Sequence, residues 1–372
     1  MSFSHQIKEL GILCVIVSCF SSFLTAAEKA PSAETVGKLY VINVWGTDAS
    51  DYKNFLDCMA NQFSPTMWSS GLKPDSEFPG NSKPGSKINF CAEYITLLGK
   101  ASFERENQSR EKMNSSGIVK DFSNETIGIA TNENVLEKCR YVSQKAGKND
   151  VIFVYMCCHA KTAKLDGDNK RYHLLFPGIK DISEMKDNNN GIKRSDIIQA
   201  LNPEKHRLVV LITDSSAREI DKPVQFPKSF GPSAIWTFHN NRLWLLLRTN
   251  VGLVDWNSAS PFGGCDKQGE LAAFYQPYSI FDQSFFYAFE EIEPDVKSIS
   301  ISEFFNGLKE KLALKFKYFK KNDKSEFGSE IIKTGCAAFD NQQTQTLFDF
   351  KGLGYVVDES DENNTDSYHA SK

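Results

Sequence analysis

Nearly unbroken apolar runs alternate along this chain with segments whose apolar residues recur every three or four positions. Runs without polar alternation are typical of strands buried on both faces of a parallel sheet, and the wider spacing indicates amphipathic helices. Strands are predicted over residues 38–45, 88–98, 150–158, 172–176 and 207–213, with further apolar segments over 233–238, 243–247 and 251–257. Helices are predicted over residues 52–63, 132–146, 195–201, 279–289 and 301–320, with Asn132 and Ser195 as caps of the second and third. This order predicts an α/β protein, a three-layer α/β/α sandwich around a mostly parallel sheet.

Both ends of the chain depart from this pattern. An apolar run from Leu10 to Leu24 follows Lys8 and precedes the small residues Thr25-Ala26-Ala27, which is typical of a signal peptide over residues 1–27. We therefore expect export, to a periplasm or as a secreted protein. Lipoprotein processing at Cys19 and an uncleaved N-terminal anchor are the alternatives. Residues 28–37 are predicted to be a linker, 38–355 one domain, and 356–372 a disordered acidic and polar tail.

Composition narrows the classes of partner. The chain has 372 residues, 41% apolar and 24% charged, which is ordinary for a globular protein. Its net charge is −4, and its one basic run, Lys315-Phe-Lys-Tyr-Phe-Lys-Lys321, has the pattern of a solvated helical face, so we expect no nucleic-acid partner. We expect no membrane contact beyond the signal segment, and the pattern does not indicate an oligomeric state.

The cysteines form no recognisable framework. Their spacing is irregular and no CxxC occurs, so neither a disulfide scaffold nor a zinc site is indicated. Cys157, Cys158 and His159 are consecutive on a predicted strand, where neighbours point to opposite faces and cannot converge on one ion. We expect no metal and no cofactor. Disulfides remain open among the cysteines of the mature chain: Cys58, Cys91, Cys139, Cys157, Cys158, Cys265 and Cys336.

Two predicted strands end abruptly in polar residues. One tip carries His159, and the other carries Asp214, Ser215 and Ser216. Open α/β sheets place their chemistry at the carboxyl ends of strands, so these tips are the candidate site. The alternatives are a half-buried strand-end histidine and serines that only cap a following helix.

The segments around these tips resemble the caspase and metacaspase superfamily, in particular its exported bacterial caspase-like members. The strand carrying the histidine ends in Met156-Cys-Cys-His-Ala160, where the family has a Tyr-Ser-Gly-His-Gly type of motif. A helix and a strand that match the family precede Ser216: Arg194-Ser-Asp-Ile-Ile-Gln-Ala-Leu201 and Leu208-Val-Val-Leu-Ile-Thr-Asp-Ser215. Later segments also match, and the resemblance covers nearly the whole mature chain: Leu247-Arg-Thr-Asn-Val-Gly-Leu-Val-Asp255, Phe304-Phe-Asn-Gly-Leu308 and Thr346-Leu-Phe348.

The resemblance implies a role for each candidate residue. His159 matches the catalytic base, and Ser216 stands where the family has its nucleophilic cysteine. The N–H groups of Ala160 and Ser216 match the oxyanion hole. Asp214 matches an acidic residue that binds a basic side chain in metacaspase-type enzymes, and Asp48 is a second candidate for that role or else a helix cap.

Three functions follow from these matches. The first is a caspase-like protein that has lost peptidase activity and binds basic peptide segments through Asp214. The second is a hydrolase that uses Ser216 and His159. The third is a cysteine peptidase whose nucleophile lies elsewhere in the chain. A serine hydroxyl needs a stronger and better oriented base than a thiolate does, so replacing cysteine by Ser216 in a two-residue site favours the first.

Overall fold

The computed structural model describes most of one compact unit, Glu34–Lys372. The described residues are 37–46, 91–115, 125–165, 167–179, 182–219, 243–263, 269–272, 274–275, 278–293, 296, 298–322 and 344–356. The predicted signal peptide, the helix predicted over 52–63, the apolar segment 233–238 and residues 357–372 lie outside them. No helix within the described ranges is long and apolar enough to cross a membrane.

Strands and helices alternate along the described chain, as the apolar pattern predicts. The strands are β1 Leu39–Trp45, β2 Cys91–Leu98, β3 Glu125–Ile129, β4 Val151–Cys157, β5 His159–Lys164, β6 Arg171–Phe176, β7 Ile192–Lys193, β8 Leu208–Asp214, β9 Gly252–Asn257, β10 Phe274–Tyr275, β11 Tyr278–Ser279, β12 Phe348–Asp349 and β13 Tyr355–Val356. The α-helices are α1 Lys100–Ser115, α2 Asn132–Lys145, α3 Arg194–Leu201, α4 Leu243–Thr249, α5 Ile280–Glu290 and α6 Ile301–Asn322. Single turns of 3₁₀ helix cover Ile182–Lys186, Asn188–Asn190 and Pro203–Lys205.

The central sheet is mostly parallel. Seven of the described strands pair in the order β12-β9-β8-β4-β1-β2-β3, and only β12 runs antiparallel to its neighbour. The central strands β1, β4 and β8 are buried along their whole length, which explains why their sequences show apolar runs without alternation.

Helices cover both faces of this sheet. On one face, α4, α5 and α6 pack with alternate residues of β1, β4 and β8 in a core rich in phenylalanine. On the other face, the remaining residues of those strands pack against α2 and α3. The predicted three-layer α/β/α sandwich is therefore confirmed.

A second, smaller sheet forms beside the strand tips. β5 pairs antiparallel with β6, and β6 also pairs with β7 and β13. From sequence, residues 161–193 form a polar excursion with one short strand, and β5 is not predicted. β5 is short and lies outside the main sheet, so its sequence lacks the apolar run by which the other strands are predicted.

Two local expectations were wrong, and two helices were not predicted. α2 is capped by Thr131, whose side chain accepts the N–H of Asn134, and not by Asn132. α3 begins at Arg194, so Ser195 lies inside it and makes no cap. The apolar segment 243–247, for which the sequence predicts no particular element, is helical, and α1 forms in a stretch too polar to show helical spacing.

Candidate functional site

The two tips leave neighbouring parallel strands at the same level. In the β4–β8 ladder, Cys157 stands opposite Asp214, the last residue of β8. His159 and Ser216 each lie two residues beyond that pair. The structure therefore brings the histidine tip and the serine tip to one edge of the sheet, as their predicted roles require.

His159 is held in a setting that keeps its imidazole neutral. It begins β5, opposite Phe176, and is half-buried. Burial lowers the pKa of His159 to about 4, because water can no longer solvate the imidazolium. An imidazole with so low a pKa is a weak base. Ala160 follows it inside β5 and is buried against Leu175.

The serines of the other tip are held by side chains and backbone groups from later in the chain. Residues 215–219 are not helical, so neither serine caps a helix there. The Ser215 hydroxyl donates to Asn257 Oδ1 at 2.7 Å, and Asn257 Nδ2 donates back to the Ser215 carbonyl at 2.9 Å. Ser215 therefore anchors the tip to the end of β9.

Ser216, for which the resemblance implies the nucleophile position, accepts a hydrogen bond at its hydroxyl oxygen. The N–H of Ala272 donates to Ser216 Oγ at 3.2 Å, and the N–H of Ala217 donates to the Glu270 carbonyl at 2.9 Å. Residues 269–272, which we call the strap, thus lie across the tip. The side chain of Ser216 is buried, so its hydroxyl serves here as an acceptor that holds the strap.

The strap is fixed by a buried carboxylate. Glu270 accepts the N–H groups of Ser260 at 2.9 Å and Thr346 at 2.7 Å, and the hydroxyl of Thr344 at 2.7 Å. Burial raises the pKa of Glu270, while these donors oppose the shift. The donors stabilise the ionised carboxylate and so keep the strap in place.

A buried arginine lies behind the serine tip. Arg194 pairs with Asp255 at 2.6 Å and donates to Thr213 Oγ1 at 2.5 Å and to the Trp256 carbonyl at 2.8 Å. Its guanidinium also stacks over Phe350, 4.7 Å from the ring centre. The sequence places Arg194 in a family-like motif, but nothing in the pattern indicates that this charge is buried.

Asp214 is a buried carboxyl group that forms no ion pair with a described residue. Both of its oxygens are fully buried, and neither makes a hydrogen bond of normal geometry to any described residue. Burial raises the pKa of Asp214 to about 6, and the nearby hydroxyls of Ser258 and Ser279 oppose this only in part. A buried carboxylate without a counter-ion is costly, so a cation placed beside it would stabilise its ionised form.

Sequence reasoning missed a second carboxylate beside Asp214. Asp282, in the first turn of α5, is buried and accepts a hydrogen bond from the Tyr155 hydroxyl. Its pKa is raised well above the usual value, by burial first and by the charge of Asp214 second. The signal for this residue was a lone aspartate within the apolar sequence of α5.

The described cysteines do not supply an alternative nucleophile. Cys139, Cys157 and Cys158 are free thiols in buried positions. Burial raises the pKa of Cys139 and of Cys158 to about 12, and that of Cys157 well above its usual value. These thiols stay protonated at neutral pH and are not activated.

Other parts of the predicted site lie beyond what the structure describes. Asp48, Cys58, Cys265 and Cys336 are outside the described residues, and so is the side chain of Cys91. Within the described ranges, no three His, Cys, Asp or Glu side chains gather in a way that would hold a metal ion.

Comparison with known proteins identifies no family for this chain. No protein-family model matches the chain, and no curated protein matches it. Among solved structures, the chain is similar to a protein from Geobacter sulfurreducens at 8% sequence identity, over 74% of this chain and 89% of that chain, with a TM-score of 0.34. The fold class, a mostly parallel α/β/α sandwich, is defined by the sheet order itself.

Proposed function

We propose that this chain is a caspase-like protein without peptidase activity that binds basic segments of peptides or proteins at the carboxyl edge of its sheet. The observation that carries the proposal is Asp214, a fully buried carboxylate without a counter-ion among the described residues. An incoming lysine or arginine side chain would supply the missing positive charge.

The loss of peptidase activity rests on the two tips. Ser216 offers a hydroxyl where a two-residue site needs a thiolate, and that hydroxyl accepts the N–H of Ala272. His159 has a pKa of about 4 and is a poor match for deprotonating a serine. The proposal also includes export directed by residues 1–27, as the sequence pattern predicts.

Peptide binding tests the first half of the proposal. Fluorescently labelled peptides that carry one central Arg, Lys or Gln are titrated with the protein, and anisotropy is recorded. We expect the basic peptides to bind and the Gln peptide not to. Asp214→Asn should abolish the difference, whereas Asp196→Asn, which removes an exposed carboxylate from α3, should preserve it. Equal binding of all three peptides by the unaltered protein would overturn the proposal.

Labelling and hydrolysis test the second half. We expect no cleavage of fluorogenic Arg or Lys peptides and no labelling of Ser216 by a serine-directed phosphonate. Phosphonate labelling of Ser216 would establish the serine hydrolase instead. Labelling by a thiol-directed peptide inhibitor, lost on changing one cysteine, would establish a cysteine peptidase. Cleavage that appears only in Ser216→Cys would support the loss of an ancestral nucleophile.

A further inference from the structure

Asp214 and Asp282 form one buried acidic pair contributed by two different elements. Asp214 ends β8, and Asp282 lies in the first turn of α5. The N–H of Asp282 donates to Ser279 Oγ at 2.7 Å, and the Ser279 hydroxyl is close enough to lower the pKa of both carboxyl groups. Ser279 is therefore a neighbour of both carboxyl groups.

The pair leaves several acceptor atoms unused. Both oxygens of Asp214 and the Oδ2 atom of Asp282 are buried and accept no hydrogen bond of normal geometry from any described residue, although the Ser258 and Ser279 hydroxyls lie near Asp214. Asn43, whose side-chain atoms are likewise buried without a partner among the described residues, stands opposite Tyr155 in the β1–β4 ladder. Tyr155 donates to Asp282, so Asn43 points to the same face of the sheet as the acidic pair.

The ionisable groups that face the pair are all acidic. Tyr155 and Cys157 come from β4, and the pKa of each is raised by burial and by the two carboxylates. They are therefore neutral at neutral pH. No Lys, Arg or His among the described residues lowers the pKa of Asp214 or of Asp282. Two carboxyl groups in such a place share a proton rather than both ionising.

We propose that Asp282 is the second anionic group of the cation site, and that the site selects a guanidinium over an ammonium and releases a proton when it binds one. The inference rests on the proposed function and adds its ligand class and its pH dependence. A planar guanidinium has five N–H donors in a fixed fork, which suits free oxygens from two carboxylates better than the compact ammonium of lysine. Its charge allows both carboxyl groups to ionise, and the shared proton leaves to solvent.

Calorimetry tests the inference directly. The Arg peptide is titrated into the protein at pH 6 and pH 8, in two buffers of different ionisation enthalpy, which reports protons released. We expect release of up to one proton per peptide, tighter binding at pH 8, and about tenfold tighter binding of Arg than of Lys peptides. Asp282→Asn should weaken Arg binding about tenfold or more and remove most of the proton release.

A second variant tests the inference without removing either carboxyl group, so that misfolding of Asp282→Asn does not decide the result. Tyr155→Phe removes the hydroxyl that stabilises ionised Asp282, so the pH dependence of binding should move to higher pH. If Asp282→Asn folds and binds the Arg peptide with unchanged affinity and proton release, the inference is wrong while the role of Asp214 stands. If the unaltered protein binds no basic peptide, the proposed function fails and the inference with it.

Discussion

The Nε2 atom of His173 lies 3.0 Å from the carbonyl oxygen of Ser216. A carbonyl only accepts, so Nε2 carries the proton and donates it, and Nδ1 presents its lone pair to Arg194 at 3.5 Å. Burial and the Arg194 charge lower the pKa of His173 to about 3, which keeps the ring neutral. The backbone of Ser216 is thus held by a chain of contacts that runs from Asp255 through Arg194 to His173.

Changing His173 should loosen the serine tip. His173→Phe preserves stacking on Phe350 but leaves the Ser216 carbonyl buried without its donor. We expect a loss of about 1–3 kcal/mol in the free energy of unfolding, measured by urea denaturation. His173→Gln, which can still donate to the carbonyl, should lose less. Equal losses in the two variants would show that the hydrogen bond does not matter.

Two buried aspartates should respond in opposite ways to the same substitution. Asp214 has a pKa of about 6 against an ordinary 3.8, so ionising it at neutral pH destabilises the fold by roughly 3 kcal/mol. Asp214→Asn should therefore raise the free energy of unfolding at pH 8. Asp255→Asn should lower it by about 3–5 kcal/mol, because it leaves Arg194 buried without its partner.

The sign of the Asp214 effect sets its pH window. A carboxyl whose folded pKa is raised stabilises the fold below its unfolded pKa, and that stability is lost as the pH rises through the folded value. The advantage of Asp214→Asn should thus be full above about pH 6 and vanish below 3.8. Denaturation curves at a series of pH values measure the difference, and a constant advantage across them would contradict the assignment.

Acidification should act through His159 in the opposite direction. Its folded pKa of about 4 lies below the ordinary 6.5, so the unfolded chain binds more protons between these values and stability falls as the pH drops through them. His159→Phe should reduce the slope of unfolding free energy against pH by at most about 1.4 kcal/mol per pH unit. An unchanged slope between pH 6.5 and 4 would show that the ring is not desolvated.

The strap depends on a glycine that has no room for a side chain. Gly269 has φ +99, and a Cβ there would lie 2.4 Å from the Ala217 carbonyl oxygen. Gly252 has φ +95, but a Cβ there would meet no described atom within 4 Å. Gly252→Ala should cost about 1–2 kcal/mol of backbone strain, and Gly269→Ala roughly 2 kcal/mol more, measured by urea denaturation. Equal costs would mean that the strap does not press on the tip.

The serine and histidine tips could be read from sequence because each strand ends where apolar residues give way to polar ones. Asp214 was likewise visible as a strand end. The sequence did not reveal that Arg194 and His173 are buried, since a charged residue in a short helix and a histidine near the polar start of a strand both look exposed. His173 lies in the second sheet and Arg194 pairs with Asp255 of the central sheet, so the burial of both depends on contacts between segments that no local pattern connects.

The sequence alone determined the class of fold, because continuous apolar runs separated by helical spacing leave few arrangements other than a covered parallel sheet. It also placed His159 and Ser216 at strand ends. Only the tertiary structure decided that the N–H of Ala272 donates to the Ser216 hydroxyl and that the carboxyl group of Asp282 lies near that of Asp214. The first contact joins residues that are 56 positions apart along the chain, and the second joins residues that are 68 positions apart. Burial, which no local pattern shows, sets the protonation of the two aspartates.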